Sequence, residues 1–152
     1  MKISTADIKK LREETSAPVM DCKRALEESN GDLQKAKVHL AKLGIARAQK
    51  KKGRDATEGL IYSYIHTGGK VGAIVEVNCE TDFVAKTNDF KALVHEVAMQ
   101  VASMDPKDEA ELLEQAYIRD SKKNMKLLID EAIGILGENI KVARFVRYAV
   151  GA

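Results

Sequence analysis

Two cysteines, three histidines and one short acidic run supply the side chains whose chemistry could go beyond packing: Cys22, Cys79, His39, His66, His95, Glu80 and Asp82. A thiol held beside an imidazole is a nucleophile with its base, so Cys79 with His66 or His95 is the pair that covalent catalysis would use. The patterning places Cys22 on an inward helical position, Cys79 at a strand end, His66 at a turn, and His39 and His95 on helices, so such a pairing reads as incidental. His66, Glu80 and Asp82 lack a metal-ligand spacing such as two histidines at i and i+4. There is no phosphate-binding glycine loop, dinucleotide fingerprint or nucleophile elbow. The cysteines form no C-x-x-C, which gives neither a disulfide framework nor a zinc spacing and fits a reducing compartment. A Cys79 enzyme is the reading that thiol alkylation would test.

The segment Asn78-Cys79-Glu80-Thr81-Asp82-Phe83-Val84-Ala85 is unusual in another way. Two acidic groups precede a large ring on a connector too short to have a core of its own. Phe83 is either a plug tucked under a sheet or an exposed anchor, and aromatic residues rimmed by charge are common interface hot spots.

The elements that must position this segment follow from periodicity. Ser4 or Thr5 caps a first helix with Ile3, Ala6, Ile8 and Leu11 on one face. Pro18 suits the first turn of a second, with Val19, Cys22, Ala25 and Leu26 inward, and Asn30-Gly31 supplies its left-handed stop. Asp32 caps a third, with Leu33, Ala36, Leu40, Ala41 and Leu43 inward, and Gly44 ends or kinks it. From Thr57 the period becomes two. Leu60, Tyr62 and Tyr64 alternate with Ile61, Ser63 and Ile65, a Gly68-Gly69 turn follows, and Val71, Ala73, Val75 and Val77 complete a β-hairpin. Asn88 or Asp89 opens a long helix through Phe90, Leu93, Val94, Val97, Ala98, Val101 and Ala102, which Pro106 helps close. A charged connector, Lys107 to Asp120, carries Leu112, Leu113, Tyr117 and Ile118, apolar enough to pack on the sheet edge. Met125, Leu128, Ile129, Ala132, Ile133 and Leu136 mark a last helix ending at Gly137. Ile140, Val142, Arg144, Val146, Tyr148 and Val150 then alternate with their neighbours as a third strand. The expected fold class is α+β: a three-helix bundle over residues 1–44, a basic helical linker over 45–56, and an α+β core over 57–152 with a three-stranded antiparallel sheet covered by helices.

With 152 residues, 45% hydrophobic and 32% charged, the chain has the make-up of one globular domain or two small ones, which argues against disordered, collagen-like and membrane classes. No apolar run approaches the roughly 18 residues of a membrane span. Met1-Lys2-Ile3-Ser4 enters a charged amphipathic pattern at once, so no targeting peptide is expected and the cytoplasm is the expected compartment. The net charge of +2 hides an asymmetry: residues 1–54 carry 14 basic and 7 acidic groups, residues 55–152 carry 11 and 16. Arg47, Lys50, Lys51, Lys52 and Arg54 form a run without an acidic residue, which reads as a solvated helix tail or as a phosphate-binding patch. Aromatic residues at 5%, with no Trp, weigh against a stacking platform for single-stranded nucleic acid.

Several stretches together carry a specific resemblance. Glu58-Gly59-Leu60-Ile61, Tyr64-Ile65-His66, Gly72 and Glu76-Val77-Asn78-Cys79-Glu80-Thr81-Asp82-Phe83-Val84-Ala85 closely resemble the bacterial elongation factor Ts family. Leu11-Arg12-Glu13-Glu14-Thr15, Met20-Asp21-Cys22-Lys23-Arg24-Ala25-Leu26, Leu136-Gly137-Glu138-Asn139-Ile140 and Arg144-Phe145 match it too, so the likeness spans nearly the whole chain. The resemblance implies that the N-terminal bundle is ubiquitin-associated-like. It implies a guanine-nucleotide exchange factor for elongation factor Tu, meeting its GDP-bound and nucleotide-free forms, with no bond-making chemistry, no cofactor, no metal, no membrane and no direct nucleic-acid partner. Thr81, Asp82, Phe83 and Val84 would enter near the partner's magnesium site and dislodge GDP, with Phe83 as the wedge, Asp82 orienting it and Val84 supporting it. Arg12, Val19 and Met20 would form a second docking edge. A homodimer is compatible, since short members of the family dimerise. Between Asp105 and Leu112 the family usually carries a much longer helical stretch, where this chain has only Pro106 to Glu111. The alternative is an RNA- or ribosome-associated helical adaptor acting through residues 47–54.

Overall fold

The computed structural model describes residues 3–152; Met1 and Lys2, part of the reading that the chain opens without a targeting segment, lie outside the described residues. Three helices come first: α1 (Thr5–Thr15), α2 (Val19–Glu28) and α3 (Leu33–Lys51). Ser4 caps α1 through a capping box, its hydroxyl accepting from the Asp7 amide at 3.1 Å while the Asp7 carboxylate accepts from the Ser4 amide at 3.3 Å. Pro18 stands at the N-cap of α2, Asn30 and Gly31 take positive φ after it, and Asp32 caps α3 through the amides of Gln34 and Lys35. Leu11, Cys22, Ala25, Leu26 and Ala36 close the core of this bundle without residual exposure.

The third helix does not end at Gly44. It runs on to Lys51, and Gly44 is the point where α3 crosses α7 (Met125–Leu136) backbone to backbone against Gly134. A helical glycine costs about 1 kcal/mol relative to alanine. Here the close approach depends on Gly134, whose added Cβ would run into the Gly44 backbone, so the glycine that reads as a stop in α3 marks a contact. Beyond the crossing, Arg47 reaches back to Asp21 with two hydrogen bonds of 2.6 and 3.0 Å, and the Arg47 guanidinium holds the Asp21 carboxyl below its ordinary value. Ala48 on the same helix is buried in a second cluster, that of the sheet.

That sheet has the order β1-β2-β5, all antiparallel: β1 (Glu58–Ile65), β2 (Val71–Cys79) and β5 (Lys141–Ala149). Gly68 and Gly69, both at positive φ, make the hairpin turn. Val75, Val77 and Ala73 point inward, where α5 (Asn88–Met104) covers them with Phe90, Leu93, Val94, Val97, Ala98 and Val101. The cap of α5 is Thr87, one residue before the expected opener. The connector folds into α6 (Glu109–Glu114) and a small ribbon, β3 (Ala116–Tyr117) with β4 (Asp120–Asn124). Leu112 and Tyr117 bury themselves in the main core, and the buried Gln100 amide ties the ribbon to α5 by donating to Ala116 O and accepting from Ile118 N. Gly137, at φ 76°, stops α7 as its type suggests.

The alternation of the last strand is not carried through. Val77 pairs with Val142 but Glu76 pairs with Arg144, so Ala143 is an extra residue in a β-bulge. Past the bulge the faces exchange: Val142 is inward, then Phe145, Arg147 and Ala149, while Val146, Tyr148 and Val150 face out.

Candidate functional site

β2 delivers the chain to the unusual segment, and local capping decides what that segment presents. Thr81 is extended, and its hydroxyl accepts from the Val84 amide at 3.3 Å, starting a single helical turn, α4 (Asp82–Ala85). Thr87 closes it, its hydroxyl donating to Val84 O at 2.7 Å while accepting from the Phe90 amide at the start of α5. Two threonines thus fix one turn between a strand and a long helix. Successive residues of a helical turn point about a quarter-turn apart. Ala85 is buried and Val84 packs on the core, which leaves Phe83 outward at 87% exposed. Of the two readings for Phe83, the structure gives the exposed one. Asp82 is exposed beside it and forms an ion pair with Lys86 at 2.6 Å. That hydrogen-bonded carboxylate holds the lysine above its ordinary value.

The base of the turn is anchored from across the molecule. Glu138, in the turn between α7 and β5, accepts hydrogen bonds from the amides of Glu80 and Thr81 at 3.1 and 2.9 Å and from the Thr81 hydroxyl at 2.7 Å. Glu80 in return accepts from the Asn139 amide at 2.8 Å and pairs with Arg54 at 3.0 Å. The Asn139 side chain donates to Arg54 O at 2.7 Å, which brings the segment after α3 into the same network. Nothing in residue type or spacing marks Glu138, Asn139 or Arg54 for this role. The signal available was the Gly137-Glu138-Asn139 stretch, whose part cannot be seen without knowing that two loops distant in the chain meet.

The catalytic pairings do not assemble. Cys79 is buried, its Sγ donates to Thr81 O at 3.2 Å, and burial, with the Glu138 charge behind it, pushes the thiol up to about 11, which disfavours the thiolate a nucleophile needs. His66 lies at the opposite end of the hairpin, eight residues from the Glu58 that pairs with Cys79, or about 26 Å along the strands. His95 bonds through Nδ1 to Tyr62 at 2.8 Å, and Tyr62 pairs with Val75, four residues from Cys79 or about 13 Å. Among the described residues, no group of three or more His, Cys, Asp or Glu side chains is placed to hold a metal ion. None of the described helices is long and apolar enough to cross a membrane. Two charges of the basic run are engaged by carboxylates of the same chain, Arg47 by Asp21 and Arg54 by Glu80.

Arg12, Val19 and Met20 are all exposed around the α1–α2 corner. A further apolar surface lies on the outer face of the sheet. Outside the sheet, Ile65 and Tyr148 flank Gly72, Ile74 pairs with Val146, and Ile61 and Val150 extend the patch.

Comparison with known proteins gives one answer. A family model described as elongation factor TS matches residues 80–152. Elongation factor Ts of Coprothermobacter proteolyticus is 46% identical over 196 aligned positions that cover 99% of this chain and 100% of that protein. Elongation factor Ts of Syntrophomonas wolfei and of Moorella thermoacetica are each 43% identical, over 98% of this chain and 91% and 96% of theirs. Since 196 positions exceed the 152 residues of this chain, the first relative carries residues with no counterpart here.

Proposed function

Because the chain belongs to the elongation factor Ts family, whose role is in translation elongation, we propose that it is the guanine-nucleotide exchange factor for elongation factor Tu. The observation that carries this reading is Phe83, a ring 87% exposed on a single turn pinned at both ends by threonine caps and braced by Glu138. An apolar side chain held out on so rigid a mount costs solvation in the free protein and gains only when a partner covers it.

A GTPase holds GDP largely through Mg²⁺, its phosphate-binding loop and the phosphates themselves. Phe83 acts as a wedge into that neighbourhood, Thr81 and Val84 fix its angle, and Asp82 makes the polar contact beside it. No bond is made or broken. By linkage, the factor weakens GDP binding by the same factor that GDP weakens binding of this protein, so it meets both the GDP-bound and the nucleotide-free partner. Arg12, Val19 and Met20 form a second docking edge on the same partner, where the exposed methionine and valine supply apolar area and the arginine a charge. The compartment for this work is the cytoplasm. A second copy of the chain covers the apolar outer face of the sheet.

The test is release of a fluorescent GDP analogue from elongation factor Tu on adding this protein. Phe83→Ala is expected to remove most of the acceleration while leaving unfolding unchanged to within about 0.5 kcal/mol, as for other exposed substitutions. Normal exchange by that variant would sink the wedge.

A further inference from the structure

The turn that carries Phe83 has little hold on the sheet through its own backbone. β2 ends at Cys79, and the next two amides, Glu80 and Thr81, have left the ladder. Buried or half-buried amides need acceptors. One side chain supplies them: Glu138 accepts both amides on Oε1 and the Thr81 hydroxyl on Oε2, at 2.7 to 3.1 Å. The same Thr81 oxygen accepts from the Val84 amide, so a continuous chain of hydrogen bonds runs from Glu138 through Thr81 into α4. Carboxylate acceptors make the stronger bonds of this kind. Glu138 is itself fixed, because Gly137 stops α7 in the left-handed region and the Asn139 amide is pinned to Glu80.

We propose that Glu138 is the positioning residue for the wedge: it sets the angle at which Phe83 leaves the surface without contacting the partner itself. This rests on the exchange reading and adds to it a residue outside the Thr81–Val84 segment. What matters is the reach of the side chain. Glutamine keeps that reach, its oxygen accepting both amides and its NH₂ donating to the Thr81 hydroxyl oxygen. Aspartate keeps the charge but retreats by one carbon, about 1.5 Å, which opens all three bonds.

The experiment measures GDP release from elongation factor Tu at increasing factor concentration for the full chain and for Glu138→Gln, Glu138→Asp and Glu138→Ala. Amide hydrogen exchange is followed at Glu80, Thr81 and, as an internal control, Val75 and Val97. The expected result is a plateau rate lowered about tenfold or more in the aspartate and alanine variants, since misplacement by an ångström can cost up to about a hundredfold. The half-saturating concentration moves far less, and the glutamine variant restores most of the plateau. Glu80 and Thr81 lose protection in the aspartate and alanine variants while Val75 and Val97 keep theirs. A wild-type plateau in Glu138→Asp, or undiminished protection of Thr81, overturns the assignment. Equal loss in the glutamine and aspartate variants with Val75 and Val97 also deprotected marks a residue that only supports the fold, and overturns it as well. Should Phe83→Ala exchange normally, the wedge fails on its own account. Thr81 protection then decides whether Glu138 holds the loop.

Discussion

Phe83 and Cys79 sit four positions apart and show what single residues reveal and conceal. The sequence marks the segment as odd through an aromatic among acidic groups, but it leaves plug and anchor open. The difference lies in the phase of one helical turn. That phase is set when Thr81 takes the N-cap and Ala85 and Val84 take the inward positions, which is a matter of caps and neighbours. For Cys79 the residue type suggests reactivity and the surroundings remove it. Its thiol is held at about 11 by burial first and by the Glu138 charge second. Iodoacetamide at pH 8 is therefore expected to spare Cys79 in the folded chain and to label it in urea, read by intact mass. The same shift has a sign in stability. An unfolded thiol ionises near its ordinary 9.0, whereas the folded one keeps its proton to about 11, so the native state binds more protons between these values. The contribution is fully present below about pH 9 and is lost as the pH rises through about 11. Urea midpoints taken across that window should fall less steeply in Cys79→Ala than in the parent, and parallel slopes would show that the thiol does not carry the effect.

At the scale of elements, periodicity located all three N-terminal helices, the hairpin, the long helix and the last strand. What it missed are places where one element answers to another. The reading of Gly44 as an end or kink treats glycine as a local signal, yet its cause is Gly134, ninety residues away in sequence. The bulge at Ala143 has the same origin, since the partner strand decides which residue is left over. The connector hides its ribbon because β3 and β4 are too short to show a period. The helix crossing can be tested by an asymmetry. A Cβ added at Gly134 would be driven into the backbone of Gly44, with Gly44 C and O only 3.0 Å away, whereas one added at Gly44 would find Gly134 Cα at 3.9 Å, an ordinary contact. Gly134→Ala is expected to lose about 1–3 kcal/mol to overpacking, outweighing its gain in helix propensity. Gly44→Ala should gain about 0.5–1 kcal/mol from the reduced freedom of the unfolded chain. Guanidinium midpoints for the two variants check this, and the reverse order would refute the crossing.

For the whole molecule, composition describes an ordinary soluble-type chain with opposed charge in its two parts, but it does not tell which face of the sheet stays bare. An antiparallel sheet covered on one side usually shows polar residues on the other. This one shows Ile61, Ile65, Ile74, Val146, Tyr148 and Val150, with Ser63 and the Glu76–Arg144 ion pair as polar company. Alternation in β1 and β2 hints at it, but the β5 contribution exists only because the bulge turns Val146 and Tyr148 outward. Contiguous apolar area of this kind marks an interface in most soluble proteins. A twofold axis over Gly72 would set Ile65 and Tyr148 of one copy against those of the other, the self-complementary contact that closed dimers use. The chain is therefore expected to sediment at twice its 16.7 kDa mass at about 50 μM, where a Kd of about 1 μM leaves most chains paired. Ile65→Lys with Tyr148→Lys places four charges in that contact and should return the monomer. Both side chains are exposed, at 65% and 73%, so the fold has little to lose by the change. A parent chain that stays monomeric at that concentration, or a double variant that still pairs, would leave the bare face without its second copy.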